Sequence, residues 1–202
     1  MIKDLEAAIG YRFQNITLLQ NALTHSSYAN ERWHNSLLSN ERLEFLGDSI
    51  LGMVVAEYLY KQFPDRPEGE LTKMRADMVC ETSLAAIAEK IGLGQHLLLG
   101  HGEERFGGRN RASILADATE SLIAAIFLDS GMEQARQFIN SFILTDVPVK
   151  KLHNTDYKTA FQELAQQKKT SSSSASSASA SDASAESASS GASTSEGAAS
   201  AR

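Results

Sequence analysis

Hydrophobic residues recur at intervals of three and four along most of the first 145 positions, which is the spacing of one face of an α-helix. The longest such pattern runs from Leu43 to Leu59. It follows Asn40, a residue type that favours helix N-termini, and we expect the helix to end near Pro64. Alternation of polar and apolar residues is not sustained anywhere, and Asn-Gly and Asp-Gly turns are absent from the sequence. The pattern therefore predicts an all-α fold for residues 1–145.

The same spacing predicts the other helices. They are expected near residues 5–9 and 16–23, over 70–91 as one continuous helix, over 112–128, over 132–144, and over 156 to about 169. Residues 100–111 are rich in glycine and charge, so we expect a loop there.

The composition changes abruptly at residue 170. Residues 170–202 contain 15 Ser and 10 Ala, and no Val, Ile, Leu, Met, Phe, Tyr or Trp. Such a segment cannot bury enough apolar surface to offset its chain entropy, so we expect a disordered tail. The predicted organisation is a helical domain over 1–146, a linker over 147–155, an isolated helix over 156–169 and the tail over 170–202.

Composition also excludes several classes of protein. The single cysteine, Cys80, rules out a disulfide framework and a cysteine-based zinc site, and it suits a reducing cytoplasm. The N-terminus is charged and lacks the apolar stretch of a signal peptide, and the apolar runs are too short to span a bilayer. We therefore expect a cytoplasmic protein with no membrane partner. The net charge of −6 argues at first sight against a nucleic-acid partner.

Five carboxylates stand in unusually apolar surroundings. Glu41, Glu44 and Asp48 share one side of the long predicted helix, and Asp117 and Glu120 lead into an apolar run. Facing carboxylates of this kind must take up protons or be compensated by a cation. Oxygen ligands without His or Cys suit Mg²⁺ or Mn²⁺, and such an ion suits phosphodiester hydrolysis. The alternative is that these acids belong to an ordinary solvated helix face.

One stretch is distinctive enough to indicate a family. Residues 40–49, NERLEFLGDS, resemble the signature of the bacterial ribonuclease III catalytic domain. Four further blocks resemble that family in the same order: residues 24–31, 69–76, 99–104 and 107–123. The resemblance extends over residues 1–145 and implies that family's helical catalytic fold.

The resemblance also implies roles for six acids. The family's metal ligands match Glu44, Asp117 and Glu120. Its pair of catalytic acids matches Asp48 and Glu120, and its accessory acids match Glu41 and Glu70. The implied reaction is Mg²⁺-dependent hydrolysis of double-stranded RNA, with Mn²⁺ able to substitute, leaving 5′-phosphate and 3′-hydroxyl ends in ribosomal and other RNA processing. Residues 1–169 hold 18 basic and 22 acidic side chains, so setting these six acids aside changes the balance from −4 to +2.

The resemblance implies a homodimer with one active site in each protomer. Phe45 matches the family's interface aromatic, although an ordinary core phenylalanine is the alternative. Contacts to RNA are expected from a histidine and three arginines, each of which has a structural or solubilising alternative: His25, Arg105, Arg109 and Arg111. The glycine-rich segment lacks the Gly-Lys-Ser/Thr of a phosphate loop, so no nucleotide cofactor is expected.

The sequence departs from the family's pattern in places. His101 stands where the family commonly has Lys, and Ser121 and Ala124 replace Ala and Gly. We expect small effects on stability from the latter two and none on chemistry. Residues 156–164 resemble the opening of the family's double-stranded-RNA-binding domain, but that resemblance stops before residue 170. We therefore expect weakened binding of RNA. The alternative functions are a non-catalytic RNA-binding dimer and a scaffold dimer.

Overall fold

The computed structural model describes residues 2–145, and this part of the chain consists of α-helices, short 3₁₀ helices and a π-helical segment, Asn140–Leu144, which continues the last α-helix. The helices are α1 (Ile2–Ile9), α2 (Ile16–Ala22), α3 (Ser26–Trp33), α4 (Glu41–Gln62), α5 (Glu68–Met78), α6 (Glu81–Lys90), α7 (His101–Arg105), α8 (Ala112–Ser130) and α9 (Met132–Ile139). Within residues 2–145 the only strand-like pairing is a single bridge between Thr24 and Leu98. The all-α prediction is confirmed; the predictions for 147–155, 156–169 and 170–202 lie outside the described residues.

Helix α8 is the centre of the fold. Its residues 121–126 are all buried, and the helix contacts α2, α4, α6 and α9. A helix that is apolar nearly all round must be enclosed by other helices, as the sequence pattern indicates. No helix of the described part is long and apolar enough to cross a membrane. The carboxylates on α8 are therefore held close to the protein interior by the helix that carries them.

Helices α4 and α8 approach each other most closely at Gly47. A Cβ atom at that position would overlap the backbone carbonyl of Glu120, which cannot move aside without shifting α8. Glycine inside a long helix is otherwise unfavourable, because it loses more backbone entropy than other residues. Gly47 is therefore explained by the contact between the two helices.

The continuous helix predicted over 70–91 is wrong. The chain forms α5 and α6 instead, with a break at Val79 and Cys80, where Cys80 adopts an extended conformation. The Ser83 hydroxyl donates to the Asp77 carbonyl at 3.0 Å. This side-chain bond competes with the backbone bond that a continuous helix would make. Apolar spacing carries no information about it.

The loop predicted over 100–111 is wrong in detail. It contains α7 and a short 3₁₀ turn, Gly108–Asn110. The first turn of α7 is held by Glu31 of α3, whose carboxylate accepts from the His101 backbone N–H at 2.8 Å and also pairs with the His101 side chain. The sequence pattern predicted no helix where α3 lies, and Glu31 and His101 are 70 residues apart in the chain. Local sequence could not reveal it.

The two glycines inside α4 provide a matched test of the helix contact. We expect Gly47→Ala to destabilise the fold by about 2 kcal/mol or more, because overpacking a close contact forces the helices apart. Gly52 has no atom within 4 Å of its would-be Cβ. We expect Gly52→Ala to stabilise the fold by about 0.5–1 kcal/mol through helix propensity. Urea unfolding measures both. Equal effects of the two substitutions would contradict the close contact.

Candidate active site

Helices α4 and α8 bring together the acids that the sequence singled out. Burial raises the pKa of Glu44, and the neighbouring carboxylates Asp117, Glu41 and Asp48 raise it further. Burial likewise raises the pKa of Glu120 to about 7, with added repulsion from Asp48, Glu44 and Asp117. Acids from the two helices therefore lie close enough to interact strongly, as the prediction from helical spacing required.

The cluster is graded from the interior to the surface. Glu44, Asp117 and Glu120 are half-buried, whereas Glu41 and Asp48 are exposed. Asp48 follows Gly47 in α4, and its side chain is exposed although Gly47 is buried against α8. The cluster is thus open to solvent along the side that carries Asp48.

Nearby cations compensate these acids little. No lysine or arginine within residues 2–145 forms an ion pair with Glu44, Asp48, Asp117 or Glu120. Burial raises the pKa of Asp117, while the nearby His25 opposes this effect and Glu81 adds to it. Like charges therefore meet here with His25 as a basic neighbour of Asp117 but without a lysine or arginine partner in the described residues. Such an arrangement disfavours the ionised state unless a cation binds.

The donor set fits a divalent cation. All four groups are carboxylates, and hard oxygen ligands are those that Mg²⁺ and Mn²⁺ prefer. Across residues 2–145, no three His, Cys, Asp or Glu side chains already enclose a common point as metal ligands. The carboxylates would therefore turn towards a shared ion, which would relieve the repulsion that raises the pKa of Glu44 and Glu120.

The two expected accessory acids are placed differently. Glu41 belongs to the cluster, because its charge raises the pKa of Glu44. Glu70 lies on α5, where its carboxylate accepts a hydrogen bond from Arg66 at 2.5 Å. It is not among the carboxylates that raise the pKa of Glu44, Asp117 or Glu120. The structure thus brings Glu41 to the site and shows no link between Glu70 and it.

His25 has a structural role beside the cluster. Its Nδ1 accepts the Ser27 backbone N–H at 3.2 Å and lies 2.8 Å from the Ser27 hydroxyl, so the side chain caps α3. Its charge lowers the pKa of Asp117. His25 therefore connects the start of α3 with the edge of the acidic cluster.

The three candidate arginines differ in whether their guanidinium groups are bound to other parts of the protein. Arg109 donates to the carbonyls of Gly94 and Leu97 at 3.0 and 2.8 Å and pairs with Glu104. Arg111 forms an ion pair with Glu103 at 2.8 Å. Within residues 2–145, Arg105 forms no ion pair. Arg109 and Arg111 thus hold the glycine-rich segment together, and Arg105 is the one available to an anion.

Phe45 lies on the surface. Its side chain is 78% exposed, although it follows Glu44 in the same helix. The alternative that Phe45 is an ordinary core residue is therefore wrong. A large exposed aromatic beside the acidic cluster is consistent with a contact to another molecule.

Sequence reasoning missed two features that position the site. Gly47 sets the approach of α4 to α8, and the buried Ser121 hydroxyl donates to the Asn40 carbonyl at 3.1 Å. Asn40 precedes α4 as expected, but its side chain makes no capping bond. A glycine between two acids inside a long helix was the available signal, because such a glycine needs a packing reason.

Comparisons with known proteins agree on one family. A family model described as Ribonuclease-III-like matches residues 15–147. Ribonuclease 3 of Desulforamulus reducens is 53% identical over 166 residues, covering 81% of this chain and 67% of the relative. Ribonuclease 3 of Clostridium tetani is 50% identical over 168 residues, covering 82% and 71%.

A solved structure extends the likeness to the fold. The nuclease domain of ribonuclease III from Campylobacter jejuni, described for structural flexibility in a region involved in dimer formation, superposes with a TM-score of 0.68 at 42% identity. The match covers 74% of this chain and all of that domain. The similarity thus includes both helices that carry the acidic cluster.

The raised pKa of Glu120 predicts how stability depends on pH in chelator-treated protein. With a folded pKa of about 7 against an ordinary value of 4.5, the folded state holds more protons than the unfolded state between these values. This contribution to stability is therefore lost as pH rises through that window. We expect Glu120→Gln to remove this loss, so that the free energy of unfolding of the variant rises relative to that of the wild type between pH 5 and 8.

Urea unfolding at several pH values measures this gain. Burial lowers the pKa of His96, which acts in the opposite direction but equally in both proteins, so the difference between them isolates Glu120. Parallel stability curves for the two proteins would contradict the raised pKa.

Proposed function

Because this chain belongs to the ribonuclease III family, we propose that it hydrolyses double-stranded RNA at the acidic cluster with the help of a divalent cation, Mg²⁺ or Mn²⁺. The observation that carries the proposal is that acids of two helices meet: besides burial, Asp48 and Glu44 of α4 raise the pKa of Glu120 on α8, and Asp117 of α8 raises that of Glu44. A fold that keeps acids together at this cost in stability needs a cation for them to bind. RNA processing, including that of ribosomal RNA, is the role proposed for the reaction, in the cytoplasm.

Three half-buried acids are proposed to hold the cation: Glu44, Asp117 and Glu120. When bound, the ion supplies activation of water and neutralises charge on the phosphodiester. Because burial and the neighbouring acids raise the pKa of Glu120 to about 7, this carboxyl would have to give up its proton to serve as a ligand. Asp48, exposed on the solvent side, is proposed to face the reacting phosphodiester as the second catalytic acid. The proposed products are 5′-phosphate and 3′-hydroxyl ends.

Binding of the polyanion is proposed to use the surface around α7 and α3. Arg105 is exposed and forms no ion pair in the described part of the chain, so its guanidinium can contact a phosphate. Arg109 and Arg111 act indirectly, because their guanidinium groups are engaged with the protein. His25 is placed between the α3 cap and Asp117, and it is proposed to limit repulsion at the edge of the cluster.

A homodimer is proposed to cut both strands of the duplex. The phenyl ring of Phe45 lies exposed next to Glu44, so a second copy of the chain that covers it would bring two acidic clusters into one assembly. The related Campylobacter jejuni domain, described as having a region involved in dimer formation, supports this proposal.

Cleavage of duplex RNA tests the proposed reaction. We expect Mg²⁺-dependent cutting that Glu120→Gln reduces by more than about 100-fold, because loss of a ligand should exceed the effect of losing an outer-shell partner. Glu89→Gln is the matched control, since Glu89 is exposed on α6. Gel analysis of labelled duplex gives both rates. Binding without cutting would favour a non-catalytic RNA-binding protein, and no binding would favour a scaffold.

The assembly has its own test. Phe45 and Phe106 are each 78% exposed, so removing either ring exposes no core. We expect Phe45→Ala to raise the dimer dissociation constant by about 30-fold or more, the usual effect of truncating a central interface aromatic. Phe106→Ala should leave it unchanged. Sedimentation equilibrium measures both; equal association of wild type and Phe45→Ala would argue against this interface.

A further inference from the structure

Buried polar residues are concentrated where α8 meets the start of α4. Among residues 2–145 the buried polar side chains are those of Thr24, Ser39, Asn40, Thr119 and Ser121. Ser121 is wholly buried, and its hydroxyl donates to the Asn40 backbone carbonyl at 3.1 Å. A buried hydroxyl normally requires such a partner, so this bond is a fixed part of the packing. It lies one residue after Glu120.

The Asn40 carbonyl accepts a second hydrogen bond. The backbone N–H of Glu44 donates to the same oxygen at 2.9 Å, as the first intrahelical bond of α4. One carbonyl oxygen therefore connects Ser121 on α8 with the backbone of Glu44 on α4. The Asn40 N–H in turn donates to the Thr24 carbonyl at 2.8 Å, so this oxygen is itself held in place from the α2–α3 turn.

A second anchor lies further along α4. Gly47 packs directly on the Glu120 carbonyl. Asn40 and Gly47 are seven residues apart, which corresponds to roughly 10 Å along a helix. Glu44 lies between them. The contact at Gly47 and the bond at Asn40 are thus direct links between α4 and α8 on either side of Glu44, and together they restrain its position relative to Glu120.

We infer that Ser121 is a positioning residue whose hydrogen bond to the Asn40 carbonyl holds Glu44 at the separation from Glu120 at which both bind one divalent cation. This inference rests on the proposed function, since it concerns the same cation. The sequence predicted only a small packing effect for Ser121. No sequence pattern shows that Ser121 and the Glu44 backbone share the Asn40 carbonyl. Because they do, Ser121 affects the site as well as the packing.

Removal of the hydroxyl should affect the site more than the fold. In Ser121→Ala the Asn40 carbonyl keeps its bond from the Glu44 N–H, so no buried polar atom is left without a partner. The like charges of Glu44, Asp48 and Glu120 repel one another, and without this bond the start of α4 has lost its direct link to α8 and keeps only its bond to the Thr24 carbonyl and its packing against that repulsion. The cation would then have to hold the start of α4 in place itself, which weakens its binding.

Thr119 provides the matched control. It is wholly buried on the other side of Glu120, and its hydroxyl donates to the Leu115 carbonyl at 2.9 Å and to the Leu84 carbonyl on α6 at 3.4 Å. Thr119→Val removes a buried hydroxyl from the same helix and keeps the side-chain volume. Its hydrogen bonds do not reach α4.

The test is titration of the full chain with MnCl₂, following free Mn²⁺ by electron paramagnetic resonance without RNA. We expect Ser121→Ala to raise the dissociation constant for Mn²⁺ about tenfold, in the range seen when an outer-shell partner is lost. Thr119→Val should bind as the wild type does. In cleavage assays the Mg²⁺ midpoint of Ser121→Ala should rise by the same factor, with its maximal rate retained at saturating Mg²⁺.

If the alanine variant fails to fold, Ser121→Cys takes its place: a thiol is close in size but only a weak donor, so we expect its affinity for Mn²⁺ to fall as well, by a smaller factor. Wild-type affinity for Mn²⁺ in whichever of these variants folds would overturn the inference alone. Equal weakening by Thr119→Val would overturn it as well, since the effect would then belong to any buried hydroxyl of α8. A wild type that binds no Mn²⁺ would overturn the proposed function, and with it this inference.

Discussion

The structure depends on the contact between α4 and α8 at Gly47 and Glu120. Because no side chain separates the two backbones there, the acids that precede and follow Gly47 on α4 meet those of α8. The apolar faces of both helices are buried in the same core, and this packing opposes the repulsion between the acids. Hydrophobic packing thus buries Glu120 in part and holds like charges beside it, and both effects, burial first, raise its pKa.

At the acidic cluster, the arrangement that suits the proposed function lowers the stability of the fold. Carboxylates that are half-buried without a lysine or arginine partner disfavour the ionised folded state, whereas a cation that binds only the folded state stabilises it. Polar contacts hold the neighbouring segments in place. The Glu31 carboxylate accepts from the first turn of α7, and the Arg109 guanidinium donates to the carbonyls of Gly94 and Leu97, which precede α7 in the chain. These contacts keep the segments next to the site in place without adding charge to it.

The sequence was informative where chemistry follows from spacing along one helix. Carboxylates at helical intervals in apolar surroundings indicated the site, and the spacing of apolar residues predicted α4 and α8 closely. It failed where a contact joins distant segments. The Ser83 hydroxyl divides α5 from α6, Glu31 organises α7, and the role of Ser121 depends on a carbonyl 81 residues away. Spacing within a segment contains no record of such partners.

The central claim is that α4 and α8 together form one cation site. A crystal structure with Mn²⁺, located by its anomalous scattering, tests this most directly. We expect an ion bound by carboxylate oxygens from both helices, with Glu44 from α4 and with Asp117 and Glu120 from α8. An ion bound by residues of one helix only, or by acids outside this cluster such as Glu70, would contradict it.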